Sequence, residues 1–249
     1  MNAFQPVKSE KVSERVIRQI KDTILSGGMK PGDRLPPERE LVEWFQVSRI
    51  SIREALKSLE TSGLLTIKPG SGVFVAHLNS KPMSDSLSSL LRIQRASVNQ
   101  LTEARAIFEP SIARLACERM SPEDLRKLER NIEETSAMLR SNRSARTKNI
   151  EFHALIAEST HNPVLTLTVK TLLDVLQEMS LGIVDDSPKN LMLSRSSVDY
   201  HKRILMAFRE RKSQKICDLM LAHVLQVQEG LRGPKSRVRK KEDELTKPS

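Results

Sequence analysis

Pro36-Pro37-Glu38-Arg39-Glu40-Leu41, followed after a short gap by Val47-Ser48-Arg49-Ile50-Ser51-Ile52-Arg53-Glu54-Ala55-Leu56, decides how this chain is read. Two prolines open a helix at the place where a missing N–H costs nothing. Leu41, Val42 and Phe45 form its buried side, with Trp44 at the edge. A tight turn follows, and Ser48 or Ser51 caps a second helix. The Ser51–Glu54 spacing also fits a reciprocal capping pair. Arg49 and Arg53 are four apart and share one face near that helix's start. Two guanidinium forks so placed can enter a DNA major groove and donate to guanine edges.

Upstream, Val12, Val16, Ile20 and Ile24, with Ile17 beside them, predict an amphipathic helix. Gly27-Gly28 supply a left-handed cap at its end, and Lys30-Pro31-Gly32-Asp33 makes a turn. Downstream, residues 64–68 and 72–76 are β-prone and are joined by Pro69-Gly70-Ser71, which predicts a short hairpin. Three helices and a hairpin make a winged helix-turn-helix over residues 12–76. Glycine at the hairpin tip lets the backbone come close to phosphates or a minor groove.

The whole chain has 249 residues, room for two modest domains. Its net charge is +10, spread as +3 over residues 1–78, +3 over 79–231 and +4 over 232–249. That even spread means that charge alone supports a nucleic-acid partner only weakly. Aromatic residues make up 3% of the chain, so its core is aliphatic, which suits helix packing. Cys117 and Cys217 have no metal-ribbon or redox spacing and read as reduced thiols. No secretory leader and no apolar run of membrane-spanning length is present, so a cytoplasmic location and no membrane partner are expected.

Beyond the wing, residues 77–88 are Ser-rich and read as a linker, with residues 1–11 a flexible start and 232–249 a disordered basic tail. Residues 89–231 show only helical periodicity, predicting six or seven helices. Residues 99–120 place Leu101, Ile107, Phe108, Ile112, Leu115 and Ala116 on the apolar side, with Pro110 as a kink or break. Ser121-Pro122-Glu123-Asp124 starts the next helix, and Ser213 reads as the cap of the last one. The fold class is therefore mainly α, a winged helix-turn-helix followed by an all-α bundle.

Four of the five histidines fall in that bundle: His153, His161, His201 and His223. Asn149 lies one helical turn before His153. Inward imidazoles and an amide oxygen from different helices can bind a divalent metal, but a histidine on an apolar face is more often a hydrogen-bonded core residue. Spacing leaves both readings open.

Residues 12–76 resemble the DNA-binding domain of the GntR family of bacterial transcription regulators. The resemblance rests on Pro31-Gly32, Leu35-Pro36, Glu38-Arg39-Glu40-Leu41, Val47-Ser48-Arg49, Arg53-Glu54-Ala55-Leu56, Leu59, Gly63-Leu64-Leu65 and Gly70-Ser71-Gly72. It implies double-stranded DNA as partner, read as an inverted-repeat operator by a homodimer. It implies that Arg39, Arg49 and Arg53 meet bases or phosphates, that Ser51 sits at the groove and that Gly70 lies at the wing tip. Ile50 stands where many relatives carry Pro or Thr, which bears on local readout.

Residues 89–231 resemble the FCD effector domain of the FadR-type subgroup. The matches are Glu103-Ala104-Arg105 with Glu109, Leu115-Ala116 with Glu118-Arg119, Phe152-His153, Asn162-Pro163, His201 and His223. This resemblance implies a divalent metal of Zn, Ni or Mn type on Asn149, His153, His201 and His223. His161 stands where relatives carry Gly and is expected at a helix end, not as a ligand. Arg105 looks like the family's inward, effector-binding arginine, and a salt bridge to Glu103 or Glu109 is the competing assignment. Neutral ligands leave the ion's charge uncompensated, so a small organic acid is the expected effector. Ligand-released repression is the commoner outcome in the family. A metal-free regulator that senses an acyl chain, and a three-histidine hydrolase with Glu109, Glu151 or Glu158 as base, are the alternatives.

Overall fold

The computed structural model describes residues 11–77, 79–180 and 188–231. The expected flexible start and basic tail lie outside the described residues, apart from Lys11. The chain divides into two units, one ending at Pro82 and the other beginning at Met83.

In the first unit, α1 (Val12–Leu25), α2 (Glu38–Phe45) and α3 (Arg49–Thr61) precede a hairpin of β1 (Leu65–Lys68) and β2 (Gly72–Val75). Gly27 takes φ +82° just past α1, the left-handed cap that its sequence predicts. Ser48 is the cap of α3: its Oγ accepts from the Ser51 amide at 3.1 Å. Ser51 is thus inside the helix, and the Ser51–Glu54 box does not form. The strands pair antiparallel from Leu65↔Val75 to Lys68↔Gly72. Residues 32–35 add a third edge through Gly32, Leu35 and Val75 amides. One core joins Val16 and Ile20 of α1, Leu35, Leu41 of α2, Ile52, Ala55, Leu56 and Leu59 of α3, and Leu65 and Val75 of the wing. Burying that side of α3 leaves Arg49, Ile50 and Arg53 outward.

The second unit is helical among its described residues: α4 (Lys81–Ile93), α5 (Val98–Arg119), α6 (Pro122–Arg140), α7 (Arg146–Glu158), α8 (Pro163–Met179), α9 (Pro188–Arg209) and α10 (Ser213–Leu231). The expected linker over 77–88 is corrected at its second half, since α4 begins at Lys81. Pro82 sits in its first turn, where proline is tolerated, and Leu87 and Leu91 pack on Leu101, Val175 and Leu176. α5 runs unbroken through Pro110. Proline costs a helix interior about 3 kcal/mol, and packing against α7, α8 and α10 overrides it here. Ile107 and Phe108, read as core positions, are exposed. Ser213 is the first residue of α10, and the Lys212 carbonyl accepts its first helical bond, from Ile216 at 3.0 Å. The main core gathers Ala113, Ala116, Leu128, Phe152, Ile156, Ile204, Phe208, Ile216 and Met220 from five helices.

Candidate nucleic-acid interface and effector cavity

On the first unit, Arg39 lies exposed on α2, and Arg49, Ile50 and Arg53 lie exposed on α3, with Ser51 half-buried beside them. Arg53 is not free: its Nε donates to Glu38 Oε2 at 3.0 Å. That bridge joins the starts of α2 and α3 and was not foreseen from the sequence. It is solvent-exposed and contributes little to stability, so DNA can displace it. Gly70 takes φ +72° at the hairpin tip, with nothing within 4 Å of where a Cβ would stand. The tip therefore offers bare backbone.

On the second unit, His153 of α7, His201 of α9 and His223 of α10 are all buried and converge. His223 Nε2 stands 3.2 Å from His153 Nε2 and 3.1 Å from His201 Nε2. Nitrogens about 2.1 Å from a shared ion would be about 3.0 Å apart at right angles and about 3.4 Å apart at the tetrahedral angle. Those two spacings fall between these values, and the ligand nitrogens of all three rings lie within 4.8 Å of one another, which suits a divalent ion. Asn149 Oδ1, one turn earlier on α7, is buried with no hydrogen-bond partner and lines the same cavity. A buried orphan acceptor beside three converging lone pairs is what a ligand set looks like. His161 stands apart at the end of α7, with φ +51° and its Nε2 3.1 Å from Asp124.

Two groups orient the imidazoles. Glu109 Oε2 lies 2.6 Å from His153 Nδ1, as an ion-pair contact that misses good hydrogen-bond angles, and so favours a lone pair on Nε2. The His201 ring stacks on Phe152 at 3.8 Å between centroids. Glu109 also takes Arg105 Nε at 2.5 Å, and both side chains are buried. The competing assignment for Arg105, a salt bridge to Glu109, is therefore formed, although Arg105 still lines the cavity. Glu109 meets His153 on the ring nitrogen away from the convergence point, so it is a poor base for a hydrolase.

Burial alone would raise the Glu109 carboxyl, but Arg105 and His153 on either side more than offset it and hold Glu109 ionised. Burial pushes His201 and His223 well below the usual imidazole range, and the neighbouring cationic forms add to this. Both are thus neutral, the form that binds metal. The unfolded chain protonates its histidines near pH 6.5 while the folded one resists. Stability present above that pH is therefore lost as pH falls below it. Chelator-treated protein should lose stability between about pH 7.5 and 5.5 through these two residues, read as a fall in thermal midpoint.

The cavity beside the histidines has a volume of about 90 Å³. That is room for several water-sized groups, the scale of a small acid. Asn149, Ile150 and His153 of α7 line it, with Arg105, Leu176, Ser197 and Val227. The sequence reading named Arg105, Asn149, His153 and His223 among the lining groups, and among those it missed is Arg146. The signal was available, because Arg146, Asn149 and His153 fall on one face of α7.

A winged helix with an exposed, arginine-bearing second helix, joined to a helical bundle with a histidine-lined cavity, defines a DNA-binding transcription regulator with an effector domain. Residues 12–75 match the bacterial regulatory proteins of the gntR family, and residues 100–226 match the FCD domain. The chain belongs to the GntR family and carries an FCD domain, and it is a regulator and not an enzyme. It is 29% identical to the HTH-type transcriptional regulator LutR of Bacillus subtilis over 84% of this chain and 96% of that one. It is 30% identical to the uncharacterized HTH-type transcriptional regulator YcbG of the same organism over 88% and 89%. The HTH-type transcriptional repressor NanR of Salmonella newport is 28% identical over 88% and 85%. The solved Streptococcus agalactiae GntR shares the fold, with a TM-score of 0.66 and 24% identity over 87% of this chain and 99% of that one. No described helix is long and apolar enough to cross a membrane.

Proposed function

We propose that the chain is a cytoplasmic, dimeric repressor that binds an inverted-repeat operator and releases or reshapes that binding when a small organic acid enters the second unit. The observation that carries this reading is the convergence of three buried Nε2 atoms and an orphan Asn149 oxygen beside a small cavity. Asn149, His153, His201 and His223 hold a divalent ion of Zn, Ni or Mn type. When bound, it supplies a doubly positive, Lewis-acidic point with open positions for a carboxylate or hydroxyl. Arg105, with one edge tied to Glu109, turns its remaining donors to the ligand.

At the DNA, α3 lies in the major groove with Arg49 and Arg53 on guanine edges, and Ser51 and Ile50 against the groove wall. Arg39 meets the backbone beside it, and Gly70 brings the wing tip to a phosphate. Ligand binding alters operator affinity by favouring one arrangement of the pair of DNA-binding units over another.

Two helices offer the face for dimerisation. α5 and α10 run antiparallel, as the Cys217–Pro110 and Gln228–Asn99 hydrogen bonds require. Ile107 and Phe108 of α5 and Leu221 and Leu225 of α10 are exposed on them. Exposed apolar residues on paired helices suit a twofold interface. The double variant Ile107→Glu, Leu225→Glu should sediment as a monomer and bind operator about a hundredfold or more weakly, as expected when two linked heads become one. A dimer of unchanged affinity would place the interface elsewhere.

The reading is tested by elemental analysis of full-length protein purified without chelator, which should give about one ion per chain. Metal-free protein that still answers small acids with a change in operator affinity would overturn it.

A further inference from the structure

Arg146 lines the same cavity. It opens α7, and its Nη2 donates to the Gln177 carbonyl at 2.8 Å and to Ser180 Oγ at 2.5 Å. Those bonds pin the head group against the end of α8. Among the described residues no carboxylate lies within ion-pairing distance of Arg146, and burial lowers its affinity for the proton with no acid to offset that. Arg105, by contrast, is neutralised by Glu109. Among the described residues, the cavity's positive charge without a carboxylate partner is therefore that of Arg146, not of the arginine the sequence singles out.

Its position along α7 gives the reach. Asn149 is three residues beyond it and His153 seven, so the ion-binding end lies about 5–10 Å further along the helix axis. Asn149, His153 and His223 line the same cavity as Arg146 and Ser180, so one ligand can reach both the histidines and the guanidinium. Ala145, just before α7, gives it no side-chain cap and its first turn holds no acid, so the helix's positive end reinforces Arg146.

We propose that Arg146 is the specificity-determining anchor for a second carboxylate, and that the effector is a short dicarboxylate. One end, a carboxylate or 2-hydroxycarboxylate, meets the histidine cluster, and the other forms a paired salt bridge with the free guanidinium edge of Arg146. This rests on the metal-dependent reading above and narrows it from small acids in general to those with two anionic ends. An acid ending in a methyl group would leave Arg146 half-buried and unpaired.

Two matched pairs of ligands test it on the metal-loaded full-length protein: 2-hydroxybutyrate against 2-hydroxysuccinate, and 2-hydroxypentanoate against 2-hydroxyglutarate. Within each pair only a terminal methyl changes to a carboxylate. Calorimetric titration should show at least one diacid binding about tenfold or more tighter than its monoacid. Arg146→Gln should abolish that preference while keeping the monoacid affinity, the metal content and the thermal midpoint, and Arg146→Lys should restore part of it. Equal binding within both pairs, or a preference that survives Arg146→Gln, overturns the role of Arg146 and leaves the metal-site reading standing. If none of the four acids binds, that reading falls and this inference with it.

Discussion

Replacing His153 or His223 with alanine is expected to reduce bound metal from about one equivalent per chain to background, measured by elemental analysis after gel filtration. Each residue supplies one of three converging Nε2 atoms, and neither has a substitute nearby among the described residues. The same variants should lose the response of operator affinity to any small acid while still binding operator, because the DNA-binding unit has its own core. Glu109→Gln makes a graded comparison. It keeps a hydrogen-bonding group between Arg105 and His153 but removes the charge, and should weaken metal binding by about 10- to 100-fold, the usual cost of losing an outer partner. Full metal retention by His153→Ala would remove that residue from the ligand set.

The second large effect is on DNA. Arg49→Ala and Arg53→Ala should each cost about 1–3 kcal/mol of operator binding, or about 5- to 150-fold in Kd, if the guanidinium pairs with a guanine. Both side chains are exposed on the outward side of α3, so the fold does not depend on them. The readout that separates base contact from phosphate contact is sequence preference. A lost base contact relaxes the preference at one operator position. A lost phosphate contact weakens all duplexes alike and lowers the salt slope by about one. Arg39→Ala should behave in the second way. Arg53 has an added feature: it leaves Glu38 on docking, so Glu38→Gln should tighten binding slightly by removing a carboxylate from the approach of the phosphates. Fluorescence anisotropy at two salt concentrations measures all of these, and unchanged affinity in both Arg49→Ala and Arg53→Ala would dismiss the assignment of α3 to the major groove.

The DNA-binding unit was legible because its signals are local. Gly27, Pro36 and Pro37, Ser48 and the Pro69-Gly70 turn each act within a few residues of themselves, and each does what its chemistry predicts. Ser48 and Ser51 could not be told apart by spacing, and the choice is made by which oxygen meets the Ser51 amide. The Ser-rich stretch after the wing was misread because small polar residues resemble a linker. Ser84 and Ser88 are instead buried on α4. Ile107 and Phe108 were misplaced because periodicity marks an apolar face without saying what covers it.

In the effector unit, histidine spacing favoured a core reading over a metal one, and the family resemblance supplied the ligand set. The role of Glu109 was not legible. It sits 44 positions before His153, and only the packing of α5 on α7 brings its carboxylate to the ring. Arg146 had a readable signal in its register with Asn149 and His153, but its lack of a carboxylate partner among the described residues is a tertiary fact. Glu109 pairs with Arg105, so the positive charge expected from that arginine is met within the protein.

The most direct test of a metal-centred acid sensor joined to a DNA reader is one anisotropy titration: the duplex upstream of the gene, metal-loaded full-length protein, and a panel of small mono- and dicarboxylic hydroxy acids. At least one acid should shift operator Kd by about tenfold or more, and chelation of the metal should erase the shift. An operator affinity indifferent to every acid, or a shift that persists unchanged in chelator, would contradict it.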